Sequence, residues 1–327
     1  MMMSRTLKLL AIALALALTG PAFAQSGPYP NRPIRLVVPF PPGGGADLTA
    51  RTLAQKMGES MGQSIVVDNK PGANGSIGAD QVAKSPPDGY TILLADRGAF
   101  GVNPALYSKL PYDPTKDFSY IGIATDGPYV LVVNPSLNVK TLAELVALAK
   151  SRPGTLNYAS FGIGSMAQLN LEAFNQRMGT DIVHVPYKGA GPAAQAVVAG
   201  DVGVTIASVP AVQGFIKDGR LRALAVGADK RFVVLPDVPT MAEAGAANDI
   251  LIPTFFALAA PAGTPPAVVA RLNAEMKKAL SDPAVAEKLT ATGLVVAAGA
   301  PEAMTAIVNA DVPKFNALVK SIGIKPE

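Results

Sequence analysis

The sequence predicts an α/β protein of two lobes, and three observations predict it. Apolar runs break repeatedly into glycine-rich turns that start helices, the signature of strand–helix alternation. Once an N-terminal leader is set aside, about 300 residues remain, more than a single core usually holds. Between Tyr120 and Val133, two short apolar runs flank Asp126-Gly127-Pro128, the pattern of a chain crossing from one lobe into another.

The leader comes first. Arg5 and Lys8 precede an apolar run from Leu9 to Leu18, and Ala22-Phe23-Ala24 supplies the small residues of a cleavage site. The run is too short to span a bilayer, so residues 1–24 read as a secretory signal peptide and the mature chain is expected to start near Gln25, in the periplasm. The expected organisation is then 25–124 as the first part of lobe 1, 125–226 as lobe 2, and 227–327 as the rest of lobe 1 with the C-terminal helices.

In lobe 1, the run from Ile34 to Phe40 enters Pro41-Pro42-Gly43-Gly44-Gly45-Ala46-Asp47. Leu48, Ala50, Leu53, Ala54, Met57 and Met61 then fall on one helical face, and Ile65-Val66-Val67 reads as the next strand. Pro71 to Ser76 is a turn into a further helix, and Pro86-Pro87-Asp88-Gly89 a turn into the strand Tyr90 to Ala95. Beyond the crossing, Thr141 and Glu144 have the spacing of a capping box for a helix ending near Lys150. The strand ending at Ser160 enters the second glycine loop, Phe161-Gly162-Ile163-Gly164-Ser165, and a helix that starts near Ser165. Ile182 to Pro186 leads into a third loop, Tyr187-Lys188-Gly189-Ala190-Gly191. A helix from Pro192 to Ala199, a strand from Val202 to Ala207, a helix around Ala211 to Asp218 and a strand from Leu221 to Val226 follow, the last returning the chain to lobe 1. Helices near Ala267 to Leu280 and Glu302 to Ser321 complete it, with Pro313 expected to kink or divide the last.

Composition excludes several functions. With no cysteine and His184 as the only histidine, the usual zinc, haem and Cys–His arrangements cannot be assembled, and no metal or cofactor is expected. His184 lies in an apolar run and reads as a core or strand-edge residue. The formal charge of +4 includes Arg5 and Lys8, so the mature chain is near +2, and no basic run points to nucleic acid. No G-x-G-x-x-G, Gly-Lys-Ser/Thr or G-x-S-x-G motif appears, so a catalytic reading has little support. The glycine loops point elsewhere. Amides at a turn into a helix are free to face a ligand, and the helix dipole behind them favours negative charge, so two such loops across a cleft would clamp a small anion such as a carboxylate.

At this point the residues carry a resemblance. Tyr29-Pro30-Asn31-Arg32-Pro33-Ile34-Arg35 with Val38 to Asp47 resembles the opening of the Bug family, the extracytoplasmic solute receptors of tripartite tricarboxylate transporters. Pro86-Pro87-Asp88-Gly89-Tyr90-Thr91, His184 to Gly189, Leu235 to Thr240 and Ala260 to Pro265 follow in the family's order and cover nearly the whole mature chain. The resemblance implies a type II periplasmic-binding-protein fold, two α/β lobes joined by two crossing strands, with one ligand in the interlobe cleft. It implies a small organic acid whose proximal carboxylate is held by the two glycine loops, partly through ordered water. On matching positions it assigns Phe40, Gly43, Gly44 and Asp47 to the first loop, and Gly162, Gly164 and Ser165 to the second. Ionised Asp47 is better suited to capping a helix or ordering water than to touching a carboxylate.

Two departures from the family pattern stand out. Gln168 replaces a common histidine with a neutral amide; with Ser165 it also has capping-box spacing, and capping and ligand contact can coexist. Arg97 follows a predicted strand whose carboxyl end borders the crevice. It is a candidate to hold a distal carboxylate, the alternative being an ion pair with Asp96 or a neighbouring acid. Tyr187, Lys188, Ser208 and the aromatic pair Phe161 and Phe255 are further candidates, each with a structural alternative: solvation for Lys188, helix capping for Ser208 and core packing for the aromatics.

The leading expectation is a monomeric periplasmic receptor that closes on a mono-, di- or tricarboxylate, with aromatic acids such as terephthalate in range, and presents it to membrane permease subunits. A sensor that reports to a two-component kinase is the alternative, and an exported carboxylate-processing enzyme a more remote one.

Overall fold

A computed structural model describes residues 29–247 and 250–324. The expected signal peptide, 1–24, lies outside the described residues. Residues 32–327 form one compact unit that contains two mixed sheets.

The six-stranded sheet is built from β1 (Ile34–Val38), β2 (Ile65–Asn69), β3 (Thr91–Asp96), β4 (Phe118–Gly127), β10 (Thr254–Pro261) and β11 (Val295–Val296), in the spatial order β11-β4-β10-β3-β1-β2. The five-stranded sheet holds β5 (Tyr129–Val133), β6 (Asn157–Ser160), β7 (Val183–Pro186), β8 (Val204–Ser208) and β9 (Arg222–Val226), in the order β7-β6-β8-β5-β9. The two orders match over five strands, with β11 an addition at the edge of the first sheet. In each sheet a central strand pairs in parallel with both neighbours, β1 with β2 and β3, and β6 with β7 and β8. Next comes an antiparallel strand donated by the other half of the chain, β10 in the first sheet and β5 in the second.

The donated strands make the crossings. Only Pro128 separates β4 from β5, which places the chain's passage at the expected Asp126-Gly127-Pro128. The return differs from expectation. Arg222–Val226 stays in the five-stranded sheet, and the chain re-enters the first lobe only at Thr254, which pairs with Gly127. β10 is buried along its whole length, so its sequence shows no alternation to mark it as a strand. Because Thr254 pairs with Gly127, both crossings meet beside Pro128.

Helices cover the sheets. The first is α1 (Gly45–Met61), and α2 (Ser76–Ala83) follows β2. A wide turn at Gly98–Val102 continues into the short α3 (Asn103–Leu106). In the second lobe, α4 (Leu142–Ser151) starts as expected, with Thr141 Oγ accepting the Glu144 N–H at 3.2 Å. It is followed by α5 (Met166–Met178), α6 (Ala190–Ala199) and α7 (Val209–Lys217). The chain ends with α8 (Pro266–Leu280), α9 (Pro283–Thr290) and α10 (Pro301–Ser321).

Pro313 does not divide α10. Met304 and Val308 on one side of the proline pack in the core of the six-stranded sheet, while Phe315 and Val319 on the other pack with Leu131, Leu169 and Phe174 in the core of the five-stranded one. Anchorage at both ends outweighs the one helical hydrogen bond that proline removes. The lobes therefore share apolar contact along α10 as well as through the crossings.

A buried amide fixes the return segment. Asn170, fully buried in α5, accepts the Ile252 N–H (3.0 Å) and donates to the Ile252 carbonyl (3.2 Å), just before β10. Asn170→Leu strands both backbone groups, and a loss of about 1–3 kcal/mol is expected. Urea unfolding at unchanged slope, with the midpoint moved down, is the check.

Candidate ligand-binding cleft

Strand order locates the cleft. In an open α/β sheet the ligand crevice lies outside the carboxyl ends of the strands, where neighbouring connections leave in opposite directions. Here that point falls between β1 and β3 in one lobe and between β6 and β8 in the other. The glycine loops leave the carboxyl ends of β1 and β6, and Arg97, Tyr187 and Ser208 sit at the corresponding ends of β3, β7 and β8.

The first loop is closed by Asp47. Its Oδ2 accepts the Gly43 N–H (3.0 Å) and Arg51 Nε (3.0 Å), and its Oδ1 accepts Asn69 Nδ2 (3.0 Å). Asn69 also donates to the Phe40 carbonyl and accepts from Arg51. Burial pushes the Asp47 carboxyl upward, but the bonds from Arg51, Gly43 and Asn69 outweigh it and hold the group below its ordinary value. Asp47 thus shapes the loop from inside the helix, and α1 itself has no side-chain cap. Gly43 has φ +92°, and space is open around both Gly43 and Gly44. A Cβ on Gly45 would strike Phe256, so α1 starts hard against β10. Geometry leaves the first-turn amides of Gly45, Ala46 and Asp47 without helical partners.

The second loop repeats the device. Ser165 caps α5, and Gln168 Oε1 accepts the Gly164 N–H at 2.7 Å. Gln168 stands at the third position of α5 as Asp47 stands at the third position of α1, and each takes the amide of the glycine just before its cap. The Gly43 and Gly164 amides, expected to face the ligand, are bonded inside their own loops, so the amides without helical partners are those of the first helical turns, with Met166 and Ala167 on the second lobe. Gly164 has φ +75°, and a Cβ there would lie 2.3 Å from Leu106.

Contacts between the lobes bring the loops close together. The Cβ position of Gly189, in the third loop, is 3.9 Å from Pro41 in the first. Asn74 Nδ2 lies 3.4 Å from the Gly164 carbonyl. Tyr187 N–H donates to Ser160 O and Gly189 N–H to Phe161 O, which bind the third loop to the second. The Phe161 and Tyr129 rings stand 6.3 Å apart. Gly162, with φ +137°, gives its N–H to Ser160 Oγ. Ser208 occupies the cap position of α7, but its hydroxyl makes no capping bond.

Arg97 is placed differently from its expected role. Its Nε pairs with Asp311 Oδ2 on α10 at 2.9 Å, its Nη1 donates to the Pro253 carbonyl at 2.7 Å, and its guanidinium lies 4.9 Å from the centre of the Phe255 ring. The side chain is 15% exposed. A guanidinium so occupied binds β3 to β10 and α10 and does not fit the reading in which it holds a distal carboxylate. Phe255 is fully buried beneath it, in the core.

Sequence reasoning missed Asn69 and Asn74, whereas His184 lies in the edge strand β7 as expected. Asn69 organises the first loop from the end of β2. His184 Nε2 lies 2.6 Å from Ser160 Oγ while its ring stacks on Tyr158, and burial pushes its pKa below the usual value. Ser160 is completely buried and bonded within its loop, so the pair supports the loop's shape. Asn74 follows β2 in a segment read only as a helix entry, although Asn-Gly is a signal for left-handed backbone. Among the described residues no group of three acidic or histidine side chains is placed to hold a metal, and no helix is long and apolar enough to cross a membrane.

The model of the tripartite tricarboxylate transporter family receptor, TctC, matches residues 49–324. The chain belongs to this receptor family. BugT of Bordetella pertussis is 39% identical over 327 residues, covering 99% of each chain. Among solved structures, R. palustris Rpa4515 with adipate superposes with a TM-score of 0.87 at 36% identity, over 91% of this chain and 100% of that one. MatC (Rpa3494) from Rhodopseudomonas palustris with bound malate gives 0.82 at 33% identity, over 89% and 100%. The receptor's two-lobed α/β architecture is thus that of Bug and TctC proteins, and the family is one of solute-binding receptors.

The receptor's first loop carries a test in its pH dependence. A carboxyl held below 3.8 in the folded state adds stability that is complete above that value and vanishes as the pH falls through the lower folded value. Asp47→Asn should therefore be less stable than wild type at neutral pH, and the difference should shrink as the pH drops below about 4. Thermal unfolding of both proteins across that range measures it.

Proposed function

We propose that this chain is a periplasmic receptor, exported by residues 1–24, that captures a small organic carboxylate as a monomer and delivers it to the permease subunits of a tripartite tricarboxylate transporter. The single observation that carries this reading is the matched pair of helix starts, one from each lobe, whose loops are closed by their own side chains and whose first-turn amides remain for an anion. Donors of this kind carry partial positive charge and are already oriented, so an acid binds without reorganising them. Relatives of the same family bound to adipate and malate support an acid of this size.

In this reading Phe40, Gly44, Gly162, Ser165 and Tyr187 form the walls of the site, Ser208 offers a hydroxyl, and Asp47 and Gln168 hold the loops. Closure is a population shift: only the closed arrangement brings both sets of amides onto one carboxylate. The protein needs no cofactor or metal and leaves the acid chemically unchanged.

Calorimetry and thermal-shift titration with a panel of mono-, di-, tri- and aromatic acids, terephthalate included, test the proposal. One acid class should bind, and at a hundredfold excess over Kd it should stabilise the fold by about 2.7 kcal/mol. Absence of any binding by the folded protein would remove the receptor reading, and formation of a product from a bound acid would replace it with an enzymatic one.

A further inference from the structure

Four successive residues after β2 have positive φ: Gly72 (+137°), Ala73 (+45°), Asn74 (+48°) and Gly75 (+85°). Two of them carry a Cβ, which disfavours this backbone, although asparagine tolerates it better than most residues. A buried network holds the turn in place. Asn74 Nδ2 donates to Asn103 Oδ1 (2.8 Å), and Asn103 Nδ2 returns a bond to the Asn74 carbonyl (3.1 Å). Asn103 is fully buried and also donates to Tyr112 Oη, which itself donates to the Ala99 carbonyl.

The network is anchored in the first lobe, but it ends in the second. The same Asn74 amide faces the Gly164 carbonyl of the second glycine loop at 3.4 Å. Around it the fit is close: Leu106 fills the space where a Gly164 Cβ would lie, and Phe40 of the first loop reaches to 3.4 Å from the Cβ position of Gly75. The strained turn therefore sits between the two ligand loops, with its one polar side chain directed at the partner loop. Glycine would satisfy the backbone with no strain. What asparagine adds at this position is the bond network and the donor aimed across the crevice.

We propose that Asn74 is a positioning residue for ligand capture: it holds the Gly164 loop at closing distance from the Gly43–Gly45 loop and so sets the closed population and the apparent affinity. The inference rests on the receptor reading above. A contact made only when the lobes are closed adds to the closed state alone, so its loss lowers the affinity for any ligand that requires closure.

Two variants test it. Asn74→Gly keeps the left-handed backbone and removes the donor, and Asn74→Asp keeps the shape but sets a carboxylate against two acceptors, Gly164 O and Asn103 Oδ1. Adipate and malate serve as probes by calorimetry. In parallel, spin labels on Ala270→Cys and Asp201→Cys, one exposed site on each lobe of a chain without native cysteine, report the interlobe distance by pulsed dipolar spectroscopy. Asn74→Gly should weaken binding about fivefold to tenfold and move the distance distribution to longer values, with Asn74→Asp doing so more strongly. Unchanged affinity and an unchanged distribution in both variants, even with a lowered Tm, would overturn the proposal. If the wild type binds neither acid, the distances decide alone, because they follow closure whether or not the ligand class is right.

Discussion

The structure depends on one device used twice. In each lobe a side chain at the third position of a helix reaches back to the amide of a left-handed glycine, Asp47 to Gly43 and Gln168 to Gly164. Each bond closes a glycine loop over the carboxyl end of a central strand and leaves the amides of the first helical turn without helical partners. The two copies differ in charge. Asp47 carries a negative charge that Arg51 and Asn69 compensate, whereas Gln168 closes its loop as a neutral amide. In the proposed receptor an anion would meet oriented amides on both sides, with the Asp47 charge already compensated.

The sheets explain why the two copies lie close together. Each lobe receives its antiparallel strand from the other half of the chain, and both crossings pass beside Pro128. The donated strand fixes the orientation of one lobe's strand ends toward the other's. Arg97 reinforces this frame from behind by joining β3, β10 and α10, and α10 carries apolar contacts into both cores across Pro313. Motion between the lobes is accordingly constrained by more than two strands.

Much of this was legible in the residues. The first glycine loop, the capping box at Thr141 and the passage at Asp126-Gly127-Pro128 are local features, set by turn chemistry and short-range periodicity, and each lies where the sequence puts it. β10 was not legible, because a strand buried on both faces has no polar alternation. The continuity of α10 through Pro313 was hidden because tertiary packing on both sides overrides local helix chemistry. The site residues divide in the same way. Two of Asp47's partners, Gly43 and Arg51, are near it in sequence, while Asn69 reaches it only from the end of β2. Arg97 could not be assigned, because Asp311 and Pro253 are distant in the chain and reach it only through the fold. Asn69, Asn74 and the pairing of His184 with Ser160 depend on strand register and on contact between lobes, which no local pattern encodes.

The central claim is that amides from both helix starts converge on one carboxylate. The most direct test is titration of ¹⁵N-labelled protein with a bound acid, followed residue by residue. Saturable shifts of the Gly45, Ala46, Met166 and Ala167 amides at a common Kd are expected. Shifts confined to one lobe, or to the 540 Å³ groove lined by Gln55, Glu59 and Gln63 along α1 and β2, would contradict it.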